Sequence, residues 1–270
     1  MKHNIIYIIL LILALVIISS LAIPHSHAEE KFQSEIMELF FRANKIYQDA
    51  EISKDLKEKT VLFQKSAEIY EQIVKSGFAS GPLYYNLANA YLRLGKKGKA
   101  IANYLKAQAL MPRNEDVKSN LQYAREHLQV SESGLPDTLK SLLFFHYSTT
   151  LNEEAWLLII AYLICVSFII IYIFWRYRII KWVYLISGII TLCLMVSVAI
   201  RIYESQIIHK GIVIAKSQVR STPSQEMPAI IEIPEGTDVI IQEEKGKWFK
   251  IFFGKDQKGW VPGSDIEQIL

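Results

Sequence analysis

Cysteine is nearly absent: the 270 residues contain two, Cys165 and Cys193, and both lie inside apolar runs. No disulfide framework and no Cys-x-x-Cys motif is therefore open to the soluble parts of the chain. Histidine is scarce as well, with only His127, His146 and His209 beyond residue 28, in three separate segments. No Gly-x-Ser-x-Gly, P-loop, His-Glu-x-x-His or zinc-ligand spacing occurs. The expectation is a protein that is not an enzyme and needs no metal or cofactor. A dominant charge is also missing. Residues 29–150 carry 17 Lys/Arg against 15 Asp/Glu, and the whole chain has a formal net charge of +3. No field of that size selects a polyanion, so nucleic acid is not an expected partner.

Hydrophobic residues are abundant, at 51%, and they gather in three blocks: Ile5 to Ile23, Ala155 to Trp175 and Trp182 to Ile200. The first follows Lys2 and leads through Pro24 to Ser26-His27-Ala28. A basic start, an apolar centre and small residues at minus three and minus one predict a signal peptide over 1–28, cleaved after Ala28. The competing reading, an uncleaved anchor, also places residue 29 onward outside the cytoplasm. The blocks at 155–175 and 182–200 contain no charge, and each is long enough to span about 30 Å of hydrocarbon. Arg176-Tyr-Arg-Ile-Ile-Lys181 between them is basic and short, which favours the cytoplasmic side. Thr150 and Glu153 have capping-box spacing at the outer end of the first span. Trp156, Trp175 and Trp182 fall at helix ends, at headgroup level. Similar distance from the turn would let Cys165 and Cys193 stand at similar depth, as a pair or as ordinary packing residues.

Between residues 29 and 130, Tyr84, Leu87, Ala88, Tyr91, Ala100, Tyr104, Ala107 and Pro112 are spaced as in a tetratricopeptide (TPR) repeat. Large residues at helical spacing give helix A its packed face. Small Ala88 and Ala100 allow close approach of helix B, and Pro112 stops that helix. A shift of 34 residues carries Asn86-Leu87 onto Asn120-Leu121, the start of a capping third helix. Phe40, Ala43, Asn44 and Tyr47, then Ser66, Tyr70 and Ile73, repeat the pattern upstream. An extra charged stretch of about ten residues near Ser53 to Lys59 lengthens the first turn or its flanking helices. The resemblance implies a groove for an extended peptide. Aligned repeats put Phe41, Lys45, Tyr85, Asn89 and Arg93 on its face, with Asn86 and Asn120 alongside. Asparagines there either meet a peptide backbone or bond between neighbouring helices. Lys96, Lys97 and Lys99 read as a solvated turn, and residues 131–150 as an interfacial linker.

Beyond residue 209, five short β-rich runs separated by Pro and Gly turns predict a small barrel over 209–270. The series Val219-Arg220-Ser221-x-Pro223, Glu235-Gly236-Thr237, Trp248-x-Lys250-Ile251 and Gly259-Trp260-Val261 resembles a bacterial SH3 domain. That resemblance implies a ligand groove at Trp248 and Pro262, with Trp260 in the core. It also implies cell-wall peptides or proteins as ligands.

The fold class expected is thus a multidomain membrane protein: an α-helical TPR array, a two-helix transmembrane hairpin and a small all-β SH3-like barrel. That order resembles the BatE-type proteins of the aerotolerance (Bat) operons. The basic turn and the signal peptide agree in placing both soluble regions outside, and the expected function is a non-enzymatic scaffold in the inner membrane, in a complex linked to stress or oxygen tolerance. The resemblance further implies partnership with membrane proteins carrying von Willebrand A domains and with a MoxR-type AAA ATPase. A peptidoglycan anchor acting through the SH3 domain is the alternative.

Overall fold

Helix α1 (His27–Ile52) opens the computed structural model, which describes residues 27–126, 128, 148–207, 209–254 and 257–269. The signal-peptide segment and most of the linker over 131–150 lie outside the described residues. Four further soluble helices follow: α2 (Leu56–Lys75), α3 (Gly81–Arg93), α4 (Lys97–Leu110) and α5 (Glu115–Glu126). Their ends follow from local chemistry. The Asp55 carboxylate caps α2 by accepting from the Lys57 amide, and the Ser80 hydroxyl accepts from the Leu83 amide at the start of α3, where Pro82 has no N–H and needs no acceptor. Gly95, at φ +72°, turns the chain between α3 and α4. Asn114 accepts from the Val117 amide and starts α5.

Adjacent helices pack through small residues. Ala43, Ala67, Ala88, Ala90, Ala100 and Ala107 are all fully buried, which lets the axes approach closely. Larger side chains, among them Tyr70, Leu83, Ile101 and Tyr104, fill the spaces between. The extra residues expected near Ser53 do not form a long loop. The α1–α2 connection is three residues, and the surplus extends the two helices instead.

Helices α6 (Leu151–Trp175) and α7 (Arg178–Ile207) are long and apolar enough to cross a membrane, with mean hydropathy of 3.0 and 2.5 over their most apolar windows. Little of either is buried, unlike the core helix of a soluble protein. The link between them is two residues, not six, with Arg176 at φ +50°. Arg178, Ile179, Ile180 and Lys181 are helical, since nothing in that stretch breaks a helix. Within residues 157–194, Tyr172 stacks near Tyr184 at 5.2 Å, and Cys165 Sγ lies 3.9 Å from the Tyr184 carbonyl. Cys165 therefore faces Tyr184 and Gly188. Cys193 lies five residues beyond Gly188 in α7, about 7.5 Å further along the axis. The two thiols are both free and are not level with one another.

At the other end of these helices the expected capping box is present: Thr150 N–H donates to Glu153 Oε2 (2.8 Å), and Glu153 N–H to Thr150 Oγ1 (3.3 Å). Next to it, Glu154 is fully buried and receives the Thr149 hydroxyl (2.9 Å) and the Arg201 guanidinium (3.3 Å). A buried carboxylate is retained only with such partners.

The C-terminal segment forms seven antiparallel strands rather than five: β1 (His209–Val213), β2 (Ser217–Arg220), β3 (Ala229–Ile233), β4 (Asp238–Lys245), β5 (Trp248–Phe253), β6 (Gln257–Pro262) and β7 (Ile266–Gln268). Their order is β3-β2-β6-β5-β4-β1-β7. β2 and β7 are too short to register as hydrophobic runs. Inward-facing Val213, Val219, Val239, Ile251 and Val261 form the core. Gly259 permits the crossing of β6 and β2, since a Cβ there would stand 2.9 Å from the Arg220 carbonyl. Trp260 is buried, as expected.

Candidate functional site

The surface shared by α1, α3 and α5 carries most of the residues singled out from the sequence. Two hydrogen-bonded clusters lie along it, each built in the same way. In the first, the Tyr70 hydroxyl (α2) and the Asn86 amide (α3) both donate to Asn44 Oδ1 (α1), at 2.5 and 2.9 Å. In the second, the Tyr104 hydroxyl (α4) and the Asn120 amide (α5) both donate to Asn89 Oδ1 (α3), at 2.5 and 3.2 Å. Asn120 also donates to the Tyr85 hydroxyl at 3.1 Å. Ring pairs match too: Phe40–Tyr70 at 6.0 Å and Tyr85–Tyr104 at 6.1 Å.

The donors repeat at 34 residues (70 to 104, 86 to 120), whereas the acceptors are 45 apart (44 to 89). The surplus of eleven residues is about three helical turns, so it can be inserted across α1 and α2 while keeping their faces in phase. It also corrects the alignment made from sequence. Asn44, not Lys45, is the counterpart of Asn89, and Phe40, not Phe41, that of Tyr85. Phe41 and Lys45 are displaced by one residue, about 100° around the helix, and both are exposed.

Of the two roles open to Asn86 and Asn120, the bonds found are those between neighbouring helices. Asn89, expected to be exposed, is half-buried and accepts two bonds. Arg93 is exposed and holds Glu51 at 2.8 Å and the Tyr47 hydroxyl at 3.5 Å. Glu51 was not singled out from the sequence, because it lies in the charged extra stretch. The Tyr47 bond, together with Glu51, pushes the guanidinium pKa up, with partial burial opposing. Burial raises the Tyr70 hydroxyl to about 12, against smaller opposing effects of Ser66 and Asn86. Tyr104 is also raised, chiefly by burial and then by Tyr85. These hydroxyls thus act as neutral donors. A separate cleft of about 390 Å³ between α1 and α2 is lined by Arg42, Ile46, Lys65, Glu68, Ile69 and Gln72, none of which carried a sequence signal.

In the β-sheet, Trp248 stands opposite Pro262 across β5 and β6, so the structure brings the two expected groove residues together. They share a pocket of about 380 Å³ with Gln225, Glu244, Lys247 and Phe249. Arg220 donates to the carbonyls of Gln225 and Met227, which fixes the β2–β3 loop beside the pocket. The Gly263 amide donates to the Lys247 carbonyl at 2.8 Å and ties β6 to the β4–β5 turn. An aromatic floor with both a carboxylate and an ammonium at its rim suits a peptide with polar backbone and mixed charge.

Among the described residues no group of three or more His, Cys, Asp or Glu side chains is placed to hold a metal ion. Residues 217–267 match the family model of the bacterial SH3 domain. Domains of that class commonly bind peptidoglycan or proteins. No curated protein and no solved structure matches the chain.

Proposed function

We propose that the chain is a non-enzymatic adaptor of the bacterial envelope. In this reading α1 to α5 are two TPR repeats and a capping helix, and they bind a segment of another membrane protein. The observation that carries it is the 34-residue recurrence of the Tyr70/Tyr104 and Asn86/Asn120 bonds, which makes successive helix pairs copies of one packing unit. Helices α6 and α7 form a hairpin in the cytoplasmic membrane, with the helical region and the SH3 domain on the outer side. The order of segments supports a place among BatE-type proteins. Membrane proteins with von Willebrand A domains and a MoxR-type ATPase system are then the partners.

Because Asn89 serves the packing of α3 and α4, Arg93 is the better probe of the helical surface. Arg93→Ala should lower partner recovery on purification in detergent by roughly tenfold or more, the factor for one lost charge-assisted bond. Trp248→Ala should have the smaller effect. The pocket at Trp248 and Pro262 favours a second reading, a peptidoglycan anchor. Loss of wall-fragment binding on Trp248→Ala, with protein partners unaffected by Arg93→Ala, would replace the first reading by the second.

A further inference from the structure

Helix α4 has Lys96 at its N-cap and opens with Lys97, Gly98 and Lys99, a poor start for a helix. Its N-cap residue Lys96 makes no side-chain capping bond, and three ammonium groups sit where the helix dipole disfavours positive charge. The missing acceptor comes from the SH3 domain: the Gly98 amide donates to the Glu235 carboxylate at 2.5 Å. The Glu235-Gly236-Thr237 turn is itself fixed, with Gly236 N–H donating to the Val213 carbonyl (2.7 Å) and Val213 N–H to that of Thr237 (3.0 Å).

Strands β1 and β7 pack along the same helix. Lys106 Nζ lies 2.5 Å from Glu267 and 5.7 Å from the Tyr84 ring centroid, with its side chain 11% exposed. From α5, Arg125 reaches Asp238 at 3.2 Å, and that side chain is 9% exposed. Gly98 is buried at this contact. A Cβ there would stand 2.6 Å from the Val213 carbonyl oxygen and 2.9 Å from Ile214 Cα, which are backbone atoms that cannot move aside.

We infer that this SH3 domain is docked in cis, as a constitutive part of the helical region, and that Glu235 supplies the N-terminal cap of α4. The edge bearing Glu235, Asp238 and Glu267 is thereby committed to this chain and closed to an outside ligand. The Trp248 pocket stays open. Strand β4 runs from Asp238 at the dock to Lys245, which pairs with Trp248, a distance of about 23 Å at 3.3 Å per residue. Neither proposed ligand is needed for the docking, so it holds whichever reading of the function is right.

Hydrogen exchange followed by mass spectrometry on the full chain in detergent tests this. Gly98→Ala is the informative variant because its two effects have opposite sign. In an undocked protein, alanine stabilises the helix and slows exchange in α4. In the docked one it forces β1 away and removes the cap. Exchange should then quicken in the first turn of α4 and in β1 by roughly tenfold or more, while β5 and β6 keep their protection. Unchanged β1 exchange, or slower α4 exchange, overturns the inference. If Gly98→Ala exposes the whole chain, a charge swap decides. Lys106→Glu should quicken exchange in β7, and adding Glu267→Lys should restore it. Failure of the second change to restore protection overturns the inference as well.

Discussion

Replacing Asn89 by alanine separates the observed role of this residue from the one its spacing suggested. The change deletes the acceptor shared by the Tyr104 hydroxyl and the Asn120 amide. Tyr104 is fully buried, so its hydroxyl loses a partner in a place water does not reach. A buried polar group left unsatisfied costs about 1–3 kcal/mol. Asn120 keeps its bond to Tyr85, so its loss adds little. With the helical region and the docked β-sheet unfolding together, about 160 residues, roughly 2 kcal/mol corresponds to a fall in Tm of about 4–8 °C. Thermal unfolding of the full chain in detergent, followed by helical circular dichroism, gives the number. A double-mutant cycle with Tyr104→Phe gives its cause. Phenylalanine removes the stranded hydroxyl, so the double variant should be more stable than the two separate losses added together, by about 1–2 kcal/mol. Strict additivity with an unchanged Tm for Asn89→Ala would place Asn89 in solvent and refute the bond.

Ala100→Leu should destabilise the fold by about 1–3 kcal/mol through overpacking, read as a lower Tm, because Ala100 is fully buried. Alkaline stability follows from the tyrosines. Tyr70 titrates near 10.0 when unfolded and at about 12 when folded, so the folded state holds the proton longer. Its contribution is complete below pH 10 and is lost as pH rises through 12, with a slope of at most about 1.4 kcal/mol per pH unit. Urea midpoints between pH 9 and 12 should fall above pH 10, and less steeply in Tyr70→Phe; a level curve in the parent contradicts this. The topology is tested in cells with Cys165 and Cys193 replaced by serine. A membrane-impermeant thiol reagent should label Ile240→Cys and spare Arg178→Cys, and the reverse pattern inverts the orientation.

What was legible in the sequence was whatever a short period or a composition encodes. The faces of α3 and α4 follow from Tyr84, Leu87, Ala88, Tyr91 and Ala100, and the two apolar helices from their length alone. The pairing of Trp248 with Pro262 was carried by motif order. Three things were hidden. The α1 register slipped by one residue because the extra stretch reads as about ten residues and is eleven, and nothing in its charged sequence marks where the repeat pattern stops and resumes. The strands β2 and β7 are four and three residues long, and pairing rather than hydrophobicity makes them strands. The SH3 contact was invisible because Glu235, Asp238 and Glu267 look like ordinary surface charge until their partners, over a hundred residues earlier, are known.

The cap on α4 also bears on the order of events in synthesis. Glu235 follows Gly98 by 137 residues, with both apolar helices lying between them in the chain. The first turn of α4 leaves the ribosome long before its acceptor exists. The helical region must therefore wait, partly finished, while α6 and α7 are made and the β-sheet closes. Bringing such distant groups together is a slow, high-contact-order step. A segment made later thus completes a helix made well before it, and a chain halted before residue 235 would carry its lysine-rich turn without the Glu235 acceptor.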